Sequence, residues 1–160
     1  MSEAPADGIP RYTIRPMRTD DVGATLELVF AFYEAEGFTT PHARLTRNLA
    51  RLAEAEGADV RIAVHDDGTA IAFAVSTCVI GLEHGIVAEL QDLYVDPRYR
   101  RAGIAGALIN AAAAWARQRD AEVLDVVVDT EGDARHGLTR YYQQHGFVDG
   151  GRRILTAPLD

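Results

Sequence analysis

The chain has 160 residues and a formal net charge of −8, and its 48% hydrophobic and 25% charged residues are typical of a soluble globular protein. The acidic balance argues against a nucleic-acid or anionic-membrane binder, because no broad positive surface is available to neutralise phosphates. The single cysteine, Cys78, excludes an internal disulfide and a cysteine-built metal cluster. With neither a signal peptide nor an apolar run of membrane length, the sequence predicts a cytoplasmic protein.

The N-terminal part of the chain predicts an arm, a strand and a helix. Residues 1–10 are expected to be a disordered arm, and residues 11–160 a single domain. Residues 12–17 alternate in polarity as a strand does. Apolar residues then recur at helical spacing from Asp20 onward, and Gly37 ends that helix.

A second helix and three strands follow. Thr40 is the expected cap of this helix, ahead of a proline at its first position. Apolar alternation at 60–64, 70–80 and 86–95, with short turns between, predicts an antiparallel meander.

The second half of the chain predicts a change of architecture. A helical stripe over 103–118 and an apolar strand over 122–130 form a crossover, so the strands at 86–95 and 122–130 should be parallel neighbours. A helix over 134–145 and a strand over 152–158 complete the chain. The sequence therefore predicts an α/β fold with a mixed, mostly antiparallel central sheet.

The turn "VDPRYRRAGIAG" (95–106) concentrates positive charge and bare backbone at the start of a predicted helix. Three arginines precede three small residues; they are Arg98, Arg100, Arg101, Gly103, Ala105 and Gly106. A helix N-terminus carries N–H groups without intrahelical partners, and small residues let an anion approach them. Two interpretations stay open: a phosphate site, or a helix start whose arginines pair with carboxylates. The spacing matches neither a P-loop nor a dinucleotide fingerprint.

Two segments resemble motifs of the GCN5-related N-acetyltransferase (GNAT) superfamily. "RRAGIA" (100–105) resembles its Q/R-x-x-G-x-G/A signature, and "RYYQQHGF" (140–147) resembles its "LYEKLGF" motif. The likeness is strongest over 86–147. It implies helices on both faces of the sheet, and an acetyl-CoA-dependent N-acetyltransferase that moves an acetyl group to a primary amine by direct attack in a ternary complex.

Position by position, the resemblance implies a cofactor site built mostly from main chain. The amides from Arg101 to Gly106 would hold the pyrophosphate. Leu93 and Val95 would bind the pantetheine arm at a bulge where their strand splays from its neighbour, and an amide near Leu93 would polarise the thioester carbonyl. Arg135 stands where many relatives carry asparagine, and an arginine could reach a phosphate instead. The full set of expected cofactor residues is Leu93, Tyr94, Val95, Arg100, Arg101, Ala102, Gly103, Ile104, Ala105, Gly106 and Arg135.

Amine acetylation needs a base, since an alkyl ammonium with a pKa of about 10.4 is neutral in about one molecule in 2,500 at pH 7. Glu89, placed like a catalytic glutamate of the histone-acetylating branch, is the first candidate and Asp92 the second. In a regular strand these side chains point to opposite faces unless a bulge intervenes. Tyr142, at the motif tyrosine, is the expected acid for the departing thiolate. His136 and His145 lack metal-ligand spacing, so no metal site is predicted.

Acidic residues in segments that vary within the family favour a cationic acceptor: an aminoglycoside-like polyamine, a diamine, or a lysine or N-terminal amine. They are Glu34, Glu36, Glu83, Asp92, Asp129, Glu131 and Asp133. The region "VDTEGDARHGLTRYYQQHGF" also resembles aminoglycoside 3-N-acetyltransferases. Two other classes stay open. One is a non-catalytic sensor of CoA or acyl-CoA, and the other is a structural partner protein without cofactor affinity. A homodimer is compatible with any of the three.

Overall fold

The computed structural model describes residues 10–159. Contacts divide them into two compact units, the first ending at Val127 and the second beginning at Val128. Nearly all of the predicted arm lies outside the described residues, and the single domain of 11–160 stays a prediction. The elements in chain order are β1 (Tyr12–Pro16), α1 (Val22–Ala35), α2 (His42–Glu54), β2 (Ala58–His65), β3 (Ala70–Gly81), β4 (Gly85–Val95), α3 (Ile104–Gln118), β5 (Val123–Val126), α4 (Thr130–His136) and α5 (Leu138–Gln144).

The first unit is built on a five-stranded sheet in the order β1-β2-β3-β4-β5. Neighbours from β1 to β4 are antiparallel, which confirms the predicted meander. β4 and β5 are parallel, with α3 as the crossover between them. The prediction of an α/β fold with a mixed, mostly antiparallel sheet is therefore confirmed.

Helices cover both faces of this sheet, because strand side chains alternate between the faces. On one face, Phe73 of β3 lies in a buried cluster with Leu28 of α1 and Leu49 of α2. On the other face, Ala88 of β4 lies in a buried cluster with Trp115 of α3. Burial of each large apolar side chain contributes about 1.5–3 kcal/mol. β3 and β4 are thus held from both sides.

Two local predictions in the first unit differ from the structure. The strand expected over 122–130 pairs only over Val123–Val126, because β4 leaves it beyond that point. The expected cap Thr40 is wrong, since Pro41 is the N-cap of α2 and no side-chain cap bond forms there. None of the described helices is long and apolar enough to cross a bilayer.

The second unit differs more from its predicted elements. The single helix expected over 134–145 is two helices, because Gly137 has a φ of +63° and interrupts the helical backbone between them. The strand expected over 152–158 does not form, and Ile154 and Leu155 are exposed there. A strand exists through pairing with a neighbour, and alternation in sequence cannot supply that neighbour.

Candidate active site

β4 changes its surroundings halfway along its length. Its parallel pairing with β5 ends at Leu90. Its register against β3 shifts between Leu90 and Asp92, so Gln91 is a β-bulge. Residues 91–95, named here the open segment, therefore keep a neighbouring strand on one edge only. This is the bulge and splay that the resemblance implies for the cofactor strand.

The open segment turns main-chain groups toward its unpaired edge. The amide of Asp96 donates to the carbonyl of Ile71 on β3 at 2.9 Å. Because strand residues alternate in direction, the main-chain groups of Leu93 and Val95 point away from β3. The Val95 carbonyl accordingly accepts a hydrogen bond from the Nε of Arg100 at 3.0 Å. The Leu93 main chain is therefore placed to meet an extended ligand.

The turn before α3 presents a run of backbone amides. Arg101 and Gly103 both have left-handed backbone, with φ of +63° and +76°. Within residues 10–159, the amides of residues 101–106 have no hydrogen-bond acceptor, and Gly103 caps α3 without a side-chain bond. A Cβ placed on Gly103 would meet nothing within 4 Å. Unpaired amides, open space and the dipole of a 15-residue helix suit a pyrophosphate.

The three arginines of this turn play different parts. Arg98 forms an ion pair with Asp96 at 2.7 Å, which lowers the pKa of that carboxyl. Arg100 bonds the Val95 carbonyl and lies over the Tyr94 ring at 5.7 Å. Arg101 is exposed, and its side chain contacts no partner in the described part of the chain. The pairing interpretation thus applies to Arg98, and an anion bound at this turn would depend mainly on the backbone amides.

The bulge places both candidate bases on one face of the sheet. Glu89 lies opposite Thr77 of β3, and Asp92 lies opposite Val75. Thr77 and Val75 are two residues apart, so they and their partners point the same way. Val75 belongs to the buried cluster with α1 and α2, which identifies the face as the one that α1 covers.

Asp92 is the more shielded of the two carboxylates. The hydroxyl of Tyr33 in α1 donates to its Oδ1 at 3.5 Å. Burial raises the pKa of Asp92, and the bond from Tyr33 opposes part of that rise. Burial and the nearby Asp92 charge raise the pKa of Tyr33 to about 12, so the phenol stays protonated at neutral pH. Glu89 is half-buried and has no hydrogen-bond or ion-pair partner among residues 10–159.

An aromatic group at the end of α1 holds Tyr33 in place. Its ring makes edge-on contacts with Phe32 and Phe38, at centroid distances of 5.4 and 5.2 Å. Helical spacing marks Tyr33 only as a core position of α1, so the sequence pattern does not identify it as a site residue. No local motif signals its approach to a residue 59 positions later in the chain.

In the second unit, Tyr142 is buried and packs edge-on against Phe147 at 5.3 Å. Arg135 forms an ion pair with Glu131 at 2.7 Å, so its guanidinium already has a carboxylate partner.

The acidic residues of the second unit serve the ends of its helices. The Asp129 side chain accepts from the amide of Gly132 at 2.7 Å and caps α4. Asp133 accepts from the amide and the hydroxyl of Thr139, at 2.7 and 2.9 Å. Glu131 is paired to Arg135, so each of the three carboxylates has a structural partner.

Cys78 has the properties of a structural thiol. It is partly buried, and burial raises the pKa of its thiol, which keeps it protonated. Among residues 10–159, no group of three or more His, Cys, Asp or Glu side chains is placed to hold a metal ion.

Comparison with known proteins connects this geometry to a family. The profile of the acetyltransferase (GNAT) family matches residues 25–147, more than half of the chain. An uncharacterised N-acetyltransferase of Methanocaldococcus jannaschii is 28% identical over 144 residues, which cover 88% of this chain. The matched part spans 62% of the length of that relative.

Solved structures share the fold. An aminoglycoside N-acetyltransferase, AAC(6')-Iy in complex with CoA, superposes with a TM-score of 0.81 at 21% identity, over 97% of this chain and 99% of that one. The aminoglycoside 6'-N-acetyltransferase AAC(6')-Ih of Acinetobacter baumannii has a TM-score of 0.77 at 21% identity, over 94% and 99%. A possible acetyltransferase of Clostridium difficile 630 has a TM-score of 0.81 at 19% identity, over 93% and 98%.

The residues matched by the family profile include the motifs at 100–105 and 140–147. That match confirms the expected superfamily: the chain belongs to the acetyltransferase (GNAT) family.

Proposed function

We propose that this protein transfers an acetyl group from acetyl-CoA to a primary amine of a small cationic molecule, or to a lysine or N-terminal amine. The observation that carries the proposal is the run of six amides, 101–106, at the start of α3 that find no acceptor among residues 10–159. Any helix start leaves its first N–H groups without intrahelical partners, and here the left-handed backbone at Arg101 and Gly103 extends that run into the preceding turn. Their place directly after the open segment joins an anion site to an unpaired strand edge.

The residues present fit acetyl-CoA as donor. Amides 101–106 would bind its pyrophosphate, with Arg101 adding charge from an exposed position. The main chain of Leu93 and the amide of Val95 would bind the pantetheine arm along the open edge. Acetyl-CoA would supply the activated acetyl group. The Leu93 amide is the proposed donor to the carbonyl that becomes more negative during transfer.

Asp92 is the proposed base, with Glu89 as the alternative. Neutralising an alkyl ammonium at pH 7 costs about 4.6 kcal/mol, which a nearby carboxylate helps to offset. Burial raises the pKa of Asp92 toward the range in which a base is effective. Glu89 shares the same face and lacks a partner among residues 10–159, so it is suited to receive the proton next or to attract the ammonium.

A cationic acceptor is proposed because the carboxylates of Glu89 and Asp92 face the same side of β4, where they can attract a positive charge. Three of the acidic residues that favoured a cationic acceptor in the sequence have structural partners, so they no longer support that acceptor. They are Asp129, Glu131 and Asp133. The proposal therefore depends on Glu89 and Asp92 in the first unit. Tyr142 is the proposed acid for the thiolate, by its place in the family motif.

The test is release of free CoA thiol from acetyl-CoA across aminoglycosides, diamines, polyamines, amino acids and lysine peptides. Release with one class, confirmed by mass spectrometry of the acetylated amine, is the expected result. Calorimetric titration with acetyl-CoA accompanies it. Tight binding without release for any amine would replace the transferase by a CoA sensor, and absence of binding would reject both.

A further inference from the structure

We infer that Tyr33 is a positioning residue for Asp92, holding its carboxylate at the bulge with one oxygen turned to α1 and the other left for the acceptor amine. The inference rests on the proposed function, since a base needs a substrate proton to receive. Tyr33 lies outside both family motifs, and no local feature of the sequence marks it.

The contact is specific in geometry. The Tyr33 hydroxyl donates to Oδ1 of Asp92 at 3.5 Å, which leaves Oδ2 without this donor. The ring is fixed by Phe32 and Phe38, so the hydroxyl has little freedom to follow a moving carboxylate. A bulge lets a strand re-aim a side chain, and here α1 supplies the donor that fixes the new direction.

The surroundings of Asp92 define what else can affect its titration. From α1 the facing group is Tyr33, and from β4 itself Glu89 shares the face. β5 contributes Asp125, which lies beside Glu89 in the register of the two strands. From β3 the residues opposite Asp92 and Glu89 are valine and threonine, neither of which titrates. α2 contributes leucines to the buried cluster. Only the tyrosine donates a hydrogen bond to the carboxylate among residues 10–159.

The sign of the effect follows from that bond. A donor to the ionised carboxylate favours ionisation, so Tyr33 holds the pKa of Asp92 below the level that burial alone would set. Tyr33→Phe keeps the ring and its packing and removes the hydroxyl. In this variant the pKa of Asp92 should rise, and the acid limb of the pH–rate profile should move to higher pH.

The experiment measures Tyr33→Phe in two independent ways. The first is the ¹³C-carboxyl titration of Asp92 by NMR, assigned with Asp92→Asn and repeated in a Glu89→Gln background. The second is the pH dependence of kcat and of KM with acetyl-CoA and the best amine. Tyr12→Phe, a partly buried tyrosine on β1, is the matched control.

The expected result is an upward shift of the Asp92 titration and a fall in kcat of about 10-fold at neutral pH, the value of one hydrogen bond to a charged group. The loss should shrink toward alkaline pH, with KM for acetyl-CoA unchanged and Tyr12→Phe like the parent. An unmoved titration, or an equal loss at every pH, would overturn the inference. If the parent protein acetylates no amine, the proposed function fails, while the titration still decides whether Tyr33 controls Asp92.

Discussion

The two halves of β4 have the same strand backbone but different surroundings. Residues 85–90 run beside β3, with β5 on the other edge from Val87 to Leu90, and Ala88 and Leu90 are fully buried. The open segment has β3 alone, and it leads into the turn whose amides lack acceptors within residues 10–159. The first half supports the sheet, and the second half is the part of β4 that we propose binds the cofactor through its main-chain groups.

The proposed site lies where β4 is no longer paired with β5. Paired main-chain groups are satisfied and cannot bind anything else, whereas an unpaired edge inside a rigid sheet keeps its donors in fixed positions. The bulge at Gln91 acts at the same place, because it brings Asp92 onto the face that Glu89 already occupies. The predictions below test whether activity belongs to the open half.

The largest effect is expected from the two carboxylates on either side of the bulge. Asp92→Asn should lower kcat by about 1,000-fold, within the range that a general base contributes. Glu89→Gln, in the paired half, should lower it by less than about 10-fold. Steady-state kinetics from pH 6 to 10 measure both. A reversed order would move the base to Glu89 and break the division between the halves.

Gly103→Glu should weaken acetyl-CoA binding by about 100-fold, since it places a negative charge among the amides and like charges at a binding site cost several kcal/mol. Gly68→Glu is the matched control, because Gly68 also has a positive φ (+90°) and open space around it, at the β2–β3 turn. Calorimetry gives the affinities, and the melting temperature of each variant shows that the backbone strain is equal. Similar affinities for the two variants would remove the pyrophosphate site.

Tyr142→Phe should lower kcat by about 10-fold with little change in acetyl-CoA affinity, if its hydroxyl is the acid. The ring contact with Phe147 is retained in this variant. Thiol release and calorimetry are the measurements, with Tyr141→Phe as the adjacent control. A fully active Tyr142→Phe would mean that the open half of β4 performs the reaction without this phenol.

The smallest effect is on stability. Burial raises the pKa of Asp92 in the folded protein above its unfolded value, so folded stability falls as pH rises through that interval. Asp92→Asn cannot ionise, and its melting temperature should therefore exceed that of the parent by a few °C at pH 7 and equal it near pH 3. Asp20→Asn, an exposed site, is the control. A lower melting temperature of Asp92→Asn at pH 7 would contradict this, because it would show that the ionised Asp92 stabilises the folded protein.

Much of the first unit could be predicted because its signals are local. Period-2 alternation located β2, β3 and β4, and the helical stripe over 103–118 located α3 to within one residue. The second unit was harder to predict, because Gly137 divides a continuous helical pattern and the apolar residues at 152–158 pair with no strand among residues 10–159. Pairing partners lie far away in sequence, so no window of residues contains them.

The sequence alone predicts the crossover, the small residues at the start of α3 and both family motifs, since each depends on residues close together in the chain. Folding determines that Arg98 pairs with Asp96, where the pairing of β4 with β5 ends, and that Glu89 and Asp92 share a face. It also brought Tyr33 to Asp92 across 59 residues. The physical reason is that charge, burial and strand register are properties of the neighbours a residue acquires on folding, and the order of residues along the chain does not name those neighbours.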